Sequence, residues 1–137
     1  MIEILIPGDP VGKARPRVTR WGTFTPQKTV NYETLIKELF IIKYPDFQPL
    51  DSALSMTLNV FHSIPKSASR KKFSKMIEGK IRPAKRPDID NILKIVGDAL
   101  KGLVYGDDGQ IVKINAEKFY SETPRLQIEI SIIEDMA

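Results

Sequence analysis

The sequence predicts a mixed α/β (α+β) fold: a small sheet of about four strands with helices packed on it, one long N-terminal loop and one basic insert. Three observations lead there. Short stretches around residues 54–60 and 126–132 alternate apolar and polar residues, as half-buried strands do. Two longer stretches, from residues 31 and 88, repeat apolar residues at the helical period. Between them lies a run of lysine and arginine with prolines at both ends. At 137 residues the chain is long enough for one hydrophobic core, so residues 1–137 are read as a single domain.

Taken in order, Ile2, Ile4 and Ile6 alternate with other residues and form a first strand, ended by Pro7-Gly8. The Gly-, Pro- and Thr-rich stretch through residue 29 reads as a long loop or irregular ribbon. Tyr32, Leu35, Ile36, Leu39 and Phe40 then make one face of a helix that stops before Pro45. Leu54, Met56, Leu58 and Val60 form the second strand. The middle of residues 63–87 forms a short helix up to Gly79 or remains mobile; the residues leave both readings open. Ile89, Ile92, Leu93, Val96 and Leu100 mark a second main helix, with Gly102 as its stop. A turn at residues 105–109 leads to strands at Val112, Ile114 and Ala116 and at Leu126, Ile128, Ile130 and Ile132. The SETPR stretch between these strands reads as a hairpin connection.

Composition excludes several classes of function. No apolar run approaches the ~20 residues of a membrane span, and the N-terminal residues lack the pattern of a signal peptide. A cytoplasmic location is therefore expected. The chain has no cysteine and one histidine, His62, so thiolate sites and histidine metal clusters are ruled out. His62 reads as a strand-end residue rather than a general base. The net charge of +4 is unevenly spread. Residues 62–87 hold nine basic side chains against one acidic, and residues 1–30 hold five against two. Such segregation produces a local positive potential suited to a polyanion.

Within this basic chain, residues 86–108 (RPDIDNILKIVGDALKGLVYGDD) concentrate Asp88, Asp90, Asp98, Asp107 and Asp108. Taken singly, each has a structural reading. Asp88 suits a helix N-cap, and Asp90, Lys94 and Asp98 suit surface ion pairs at i, i+4 spacing. Asp107-Asp108-Gly109 suits a turn. Together they suggest more, because the strand after the turn can return Asp108 beside the helix start. Asp88, Asp90 and Asp108 would then share one small volume, which calls for a cation. Oxygen-only ligands favour Mg²⁺ or Mn²⁺, and phosphodiester hydrolysis uses such a site. Lys94, one turn along, can neutralise charge developing on a phosphate.

The pattern D-x-D-N-x-x-K, then D-A-L, then an acidic pair followed by a strand resembles the signature of the RusA family of Holliday-junction resolvases. Asp88, Asp90, Asn91, Lys94, Asp98-Ala99-Leu100 and Asp107-Asp108 match it position by position. The N-terminal PGDPVGKARPR is similar to the opening of many members. The resemblance implies a homodimeric, Mg²⁺-dependent endodeoxyribonuclease, with Mn²⁺ as a substitute, that cuts four-way junction DNA in recombination and repair. It also suggests a phage or prophage origin and requires no small-molecule cofactor. By position, Asp88, Asp90 and Asp108 are the metal-binding catalytic carboxylates and Lys94 the catalytic lysine. Asp107 and Asn91 are helpers. Asp98 belongs to the pattern as either a catalytic group or a salt bridge to Lys94 or Lys101. The basic insert is longer than in compact members, so junction selectivity does not transfer with the pattern.

For DNA contacts, Lys13, Arg15 and Arg17 alternate along an extended segment and can follow a phosphate backbone, with Arg20 beyond them. Lys85 and Arg86 close the basic insert and are further candidates. Trp21 and Phe24 either stack on unpaired bases or cover a core edge. Two rival functions stay open: a metal-dependent nuclease for another branched substrate, and a non-catalytic nucleic-acid-binding protein.

Overall fold

A computed structural model describes residues 1–134 of the chain and shows an α+β fold with three helices and a four-stranded mixed sheet. The residues group into two compact units. One contains Met1–Pro10, Ala53–Arg86 and the segment from Ile111; the other contains Val11–Ser52 and Pro87–Gln110.

The first unit holds the sheet. Strands β1 (Ile2–Pro7), β4 (Leu54–Ser63), β5 (Ile111–Ser121) and β6 (Arg125–Ile132) lie in the order β1-β6-β4-β5. β1 and β4 both run antiparallel to β6, whereas β4 and β5 are parallel. Three strands alternate between buried and more exposed positions, β6 as far as Ile130. Their inner rows include Ile2, Ile4 and Ile6, then Leu126, Ile128 and Ile130, then Leu54, Met56, Leu58 and Val60. Helix α2 (Arg70–Ile77) lies against β5 and buries Met76; the Ser69 hydroxyl caps it by accepting from the Lys72 amide at 3.3 Å.

The expected hairpin between the last two strands is corrected by the register. β4 lies between β5 and β6, and the Ser121–Arg125 connection passes across its end. Nothing local in SETPR encodes this, because the choice of neighbour depends on the fully buried row of β4.

The basic insert is fixed to β5. Arg82 donates to Glu117 at 3.3 Å and to the Lys118 carbonyl at 3.1 Å, and the Lys118 ammonium donates to the Lys85 carbonyl. The Arg82 guanidinium lies 4.2 Å from the centre of the Phe119 ring. Phe119 stacks on Phe61, its register partner, at 5.3 Å, and Arg125 covers the other side of Phe61 at 3.8 Å. His62 is buried near the end of β4, and its Nε2 has no hydrogen-bond partner among the described residues. Burial, with Lys118 and Lys85 adding repulsion, pushes its pKa down to about 4, so it is neutral near pH 7.

The second unit holds helix α1 (Gln27–Lys43), helix α3 (Ile89–Leu100) and a hairpin of β2 (Arg17–Thr19) with β3 (Gly22–Phe24). The stretch read as loop therefore contains a hairpin, missed because all its residues are exposed and no inside–outside pattern exists. Trp21 sits at its tip, 85 % exposed, and covers no core edge. α1 and α3 pack together. α1 buries Tyr32, Ile36 and Phe40, and α3 buries Ile92, Ile95, Val96, Ala99 and Leu100. Ile95 thus belongs to the core, whereas Leu93 is half-buried. No helix among the described residues is long and apolar enough to cross a membrane.

Candidate active site

The acidic residues of interest all lie in the second unit, on α3 and the turn that follows it. Asp88 is the N-cap of α3, with extended backbone angles, but its side chain makes no capping hydrogen bond. Asp90 lies in the first helical turn, where the helix dipole favours an anion. Both residues are exposed, and neither side chain has a hydrogen-bond or ion-pair partner among the described residues. Cap and salt-bridge readings therefore explain neither of them.

Asp98 is different. Its carboxylate accepts from Lys94 at 3.1 Å and from Lys13 at 3.2 Å, and Lys13 also bonds Glu33 at 2.9 Å. Burial works against ionisation of Asp98, but the hydrogen bonds and charges of Lys94 and Lys13 outweigh it and hold the pKa below the usual carboxylate range. The bond to Glu33 is the largest influence on Lys13, whose pKa is raised despite burial, with Asp98 assisting. Of the two partners expected for Asp98, Lys94 is observed, and Lys101 instead faces Asp108 at 3.9 Å. The charge of Lys13 is thus matched by two carboxylates of the same unit. Arg15, Arg17 and Arg20 are exposed, and Arg20 lies 4.9 Å over the Trp21 ring. In the sheet unit, Lys85 lies 5.8 Å over the Tyr120 ring and Arg86 is exposed.

The segment after Pro10 meets α3 closely. The Lys13 amide donates to the Asn91 carbonyl at 2.8 Å. A methyl group on Gly12 would stand 2.9 Å from Asn91 Cβ and 3.0 Å from Pro87 Cβ, so only glycine fits here without a shift. Asn91 therefore contributes through its backbone to holding the start of α3, a role that its type and spacing did not reveal.

Asp107 and Asp108 sit on a turn organised by Gln110, which the sequence reading passed over. The Gln110 side-chain carbonyl accepts from the Gly106 and Asp107 amides, both at 2.9 Å. Its amide nitrogen donates to the carbonyls of Leu50, at 2.8 Å, and Ser52, at 3.1 Å. Asp107 accepts from the Gly109 amide at 3.3 Å, and Asp108 begins a short 3-10 turn through Gln110. A polar residue three places beyond Asp107 was the available signal, since side-chain oxygens at such spacing close turns.

The donor set fits a hard divalent cation in chemistry: exposed carboxylate oxygens, two of them without a protein partner, in a chain lacking cysteine. The expected convergence is not present in the side-chain positions. Among the described residues, no three His, Cys, Asp or Glu side chains are grouped to hold a metal ion, and the Asp108 carboxylate turns toward Lys101.

Comparison with known proteins supplies the family. Residues 7–131 match Endodeoxyribonuclease RusA. The chain is 34 % identical over 134 residues to the uncharacterized protein YqaN of Bacillus subtilis (strain 168), covering 94 % of each chain. Over 47 residues it is 45 % identical to the crossover junction endodeoxyribonuclease rusA of Lactococcus phage r1t, covering 34 % of this chain and 36 % of the phage protein. With its fold, the Asp88-to-Asp108 pattern and a family match over nearly its whole length, the chain belongs to the RusA endodeoxyribonuclease family.

Proposed function

We propose that this protein is a divalent-metal-dependent endonuclease that resolves four-way DNA junctions as a homodimer. The observation that carries the reading is the pair Asp88 and Asp90, exposed at the start of α3 and without a side-chain partner among the described residues. Two like charges two residues apart repel one another, so the helix dipole that favours Asp90 does not by itself account for the pair. The phage relative, by its name, acts on crossover junctions.

Asp88, Asp90 and Asp108 would hold Mg²⁺, or Mn²⁺ in its place, which when bound supplies Lewis-acid polarisation of the phosphodiester and makes water a better nucleophile. Asp107 and Asn91 support the carboxylates. Lys94 presents an ammonium one helical turn from Asp90, and Asp98 holds it at 3.1 Å. That cation offsets negative charge as it develops on the phosphate or leaving oxygen. Water adds across the P–O3′ bond, leaving a 5′-phosphate and a 3′-hydroxyl. Lys13, Arg15, Arg17, Arg20, Lys85 and Arg86 contact DNA phosphates. A two-fold dimer places one acidic site on each of two symmetric strands.

The test incubates a labelled immobile four-way junction and a matched linear duplex with Mg²⁺, Mn²⁺ or EDTA, alongside flap and RNA substrates. Symmetric paired nicks on the junction, lost with EDTA and in Asp90→Asn, are expected. Preferential cutting of flaps or RNA would redirect the reading to another substrate. Junction binding unaffected by Mg²⁺, with no cutting, would replace it by a non-catalytic binding protein.

A further inference from the structure

Among the described residues the sheet ends on one side at β5, an eleven-residue strand with no strand beyond it. Its burial pattern is unlike those of the other sheet strands. Val112 and Ile114 are 60 % and 49 % exposed, although Ile114 shares a row with buried Met56 and Ile130. Long edges bearing apolar β-branched residues invite pairing with another chain unless they are blocked.

Here the block is local. In a parallel pair, alternate residues turn both backbone groups toward the neighbouring strand, and those between turn them away. The Lys118 carbonyl points away from β4, since Arg82 reaches it at 3.1 Å. By alternation along the regular register, Ala116 and Ile114 also turn their N–H and C=O outward. Those groups have no partner among the described residues. Arg82 thus closes the edge at Lys118 and leaves the stretch before it open.

We infer that the open stretch, residues 111–117, pairs antiparallel with the same stretch of a second copy about a two-fold axis at Ile114. This rests on the dimeric reading above and specifies its surface. The sequence is self-complementary in that register, as a two-fold interface requires. Ile114 meets the partner's Ile114, both with outward backbone groups, and Val112 lies beside the partner's Ala116. Lys113 stands opposite the partner's Asn115, diagonal to the partner's Glu117 on one side and to the partner's Lys113 on the other, so each lysine has an acidic neighbour within reach of a long side chain. No like charges stand directly opposite one another. Glu117, already 3.3 Å from Arg82, would then sit between two cations.

Sedimentation equilibrium of the full chain and its variants tests the surface. Wild type should be a dimer, and Ile114→Arg, which sets two cations on the axis, should raise the dimer dissociation constant at least 100-fold. Leu5→Arg, at an exposed position of the opposite edge strand, should leave it unchanged. The chain has no cysteine, so Ile114→Cys provides a second readout. Directly opposed residues in such a pair have Cα atoms about 5.5 Å apart, within disulfide range. Mild oxidant should therefore link Ile114→Cys into a covalent dimer and should not link Leu5→Cys. A dimer that survives Ile114→Arg, or cross-links only through position 5, refutes this surface and leaves the dimeric reading standing. A folded wild type that remains monomeric refutes both. A dimer of the predicted kind that cuts no junction supports the surface and refutes the nuclease reading.

Discussion

Replacing Gly12 with alanine adds a single methyl group where the segment after Pro10 meets the start of α3. That methyl would lie 2.9 Å from Asn91 Cβ and 3.0 Å from Pro87 Cβ. Carbon atoms pack comfortably at about 3.5–4.0 Å, so roughly half an ångström or more must be found. Neither neighbour can swing aside, since one belongs to a proline ring and the other is the first side-chain atom of a helical residue. The segment must lift, stretching the 2.8 Å bond from the Lys13 amide to Asn91. Overpacking costs about 1–3 kcal/mol, and loss of that bond adds about 1 kcal/mol. Gly12→Ala should therefore lose about 2–4 kcal/mol in urea denaturation. Asp88 and Asp90 flank the disturbed contact, so junction cleavage should fall by roughly 10–100-fold, as misplacement on this scale does elsewhere. A variant within ~0.5 kcal/mol of wild type and equally active would show that the close approach is neither tight nor used.

Gly97 predicts the opposite sign. An added methyl group there meets the Tyr105 hydroxyl at an ordinary 3.6 Å, so Gly97→Ala should stabilise by about 0.5–1 kcal/mol in the same denaturation assay. For Gln110, Gln110→Glu keeps the acceptor for the Gly106 and Asp107 amides but removes the donors to Leu50 and Ser52, whereas Gln110→Ala removes both. Hydrogen exchange at Gly106 and Asp107 should accelerate strongly in the alanine variant and less in the glutamate one. His62 makes stability depend on pH. Its folded pKa of about 4 lies below the ordinary 6.5, so the unfolded chain binds the proton more readily between those values. Stability should be full above pH 6.5 and fall toward pH 4 by on the order of 3 kcal/mol. Urea midpoints at pH 7 and 4.5 should converge in His62→Leu relative to wild type.

What the sequence revealed depended on whether a residue's burial leaves a local trace. β1, β4 and β6 alternate because one face of each is covered, and their positions were readable. α3 was readable for the same reason at the helical period. β5 also alternates, but its apolar row at Val112 and Ile114 is exposed, and its neighbour is set by distant pairing. The β2–β3 hairpin buries nothing, so no pattern announced it. Asp88, Asp90 and Lys94 were visible as a spacing, and the structure adds that the first two are uncommitted. The ion pairs of Lys13 left no trace in the sequence, because its partners Glu33 and Asp98 are far away along the chain. The role of Gln110 is not legible in the sequence, because glutamine is uncharged and its acceptors at Leu50 and Ser52 lie far away along the chain.

The place of β6 in the sheet has a consequence for synthesis. It runs between β1 and β4, so β1 has no sheet partner until residues 125–132 leave the ribosome. Until then only β4 and β5 can pair, and the apolar row of β1 must wait in solution or be held by a chaperone. Release of β6 therefore closes the sheet in one event. A stop codon shortly before Arg125 should yield a chain that aggregates, even though every residue from Lys13 to Asp108 has been made.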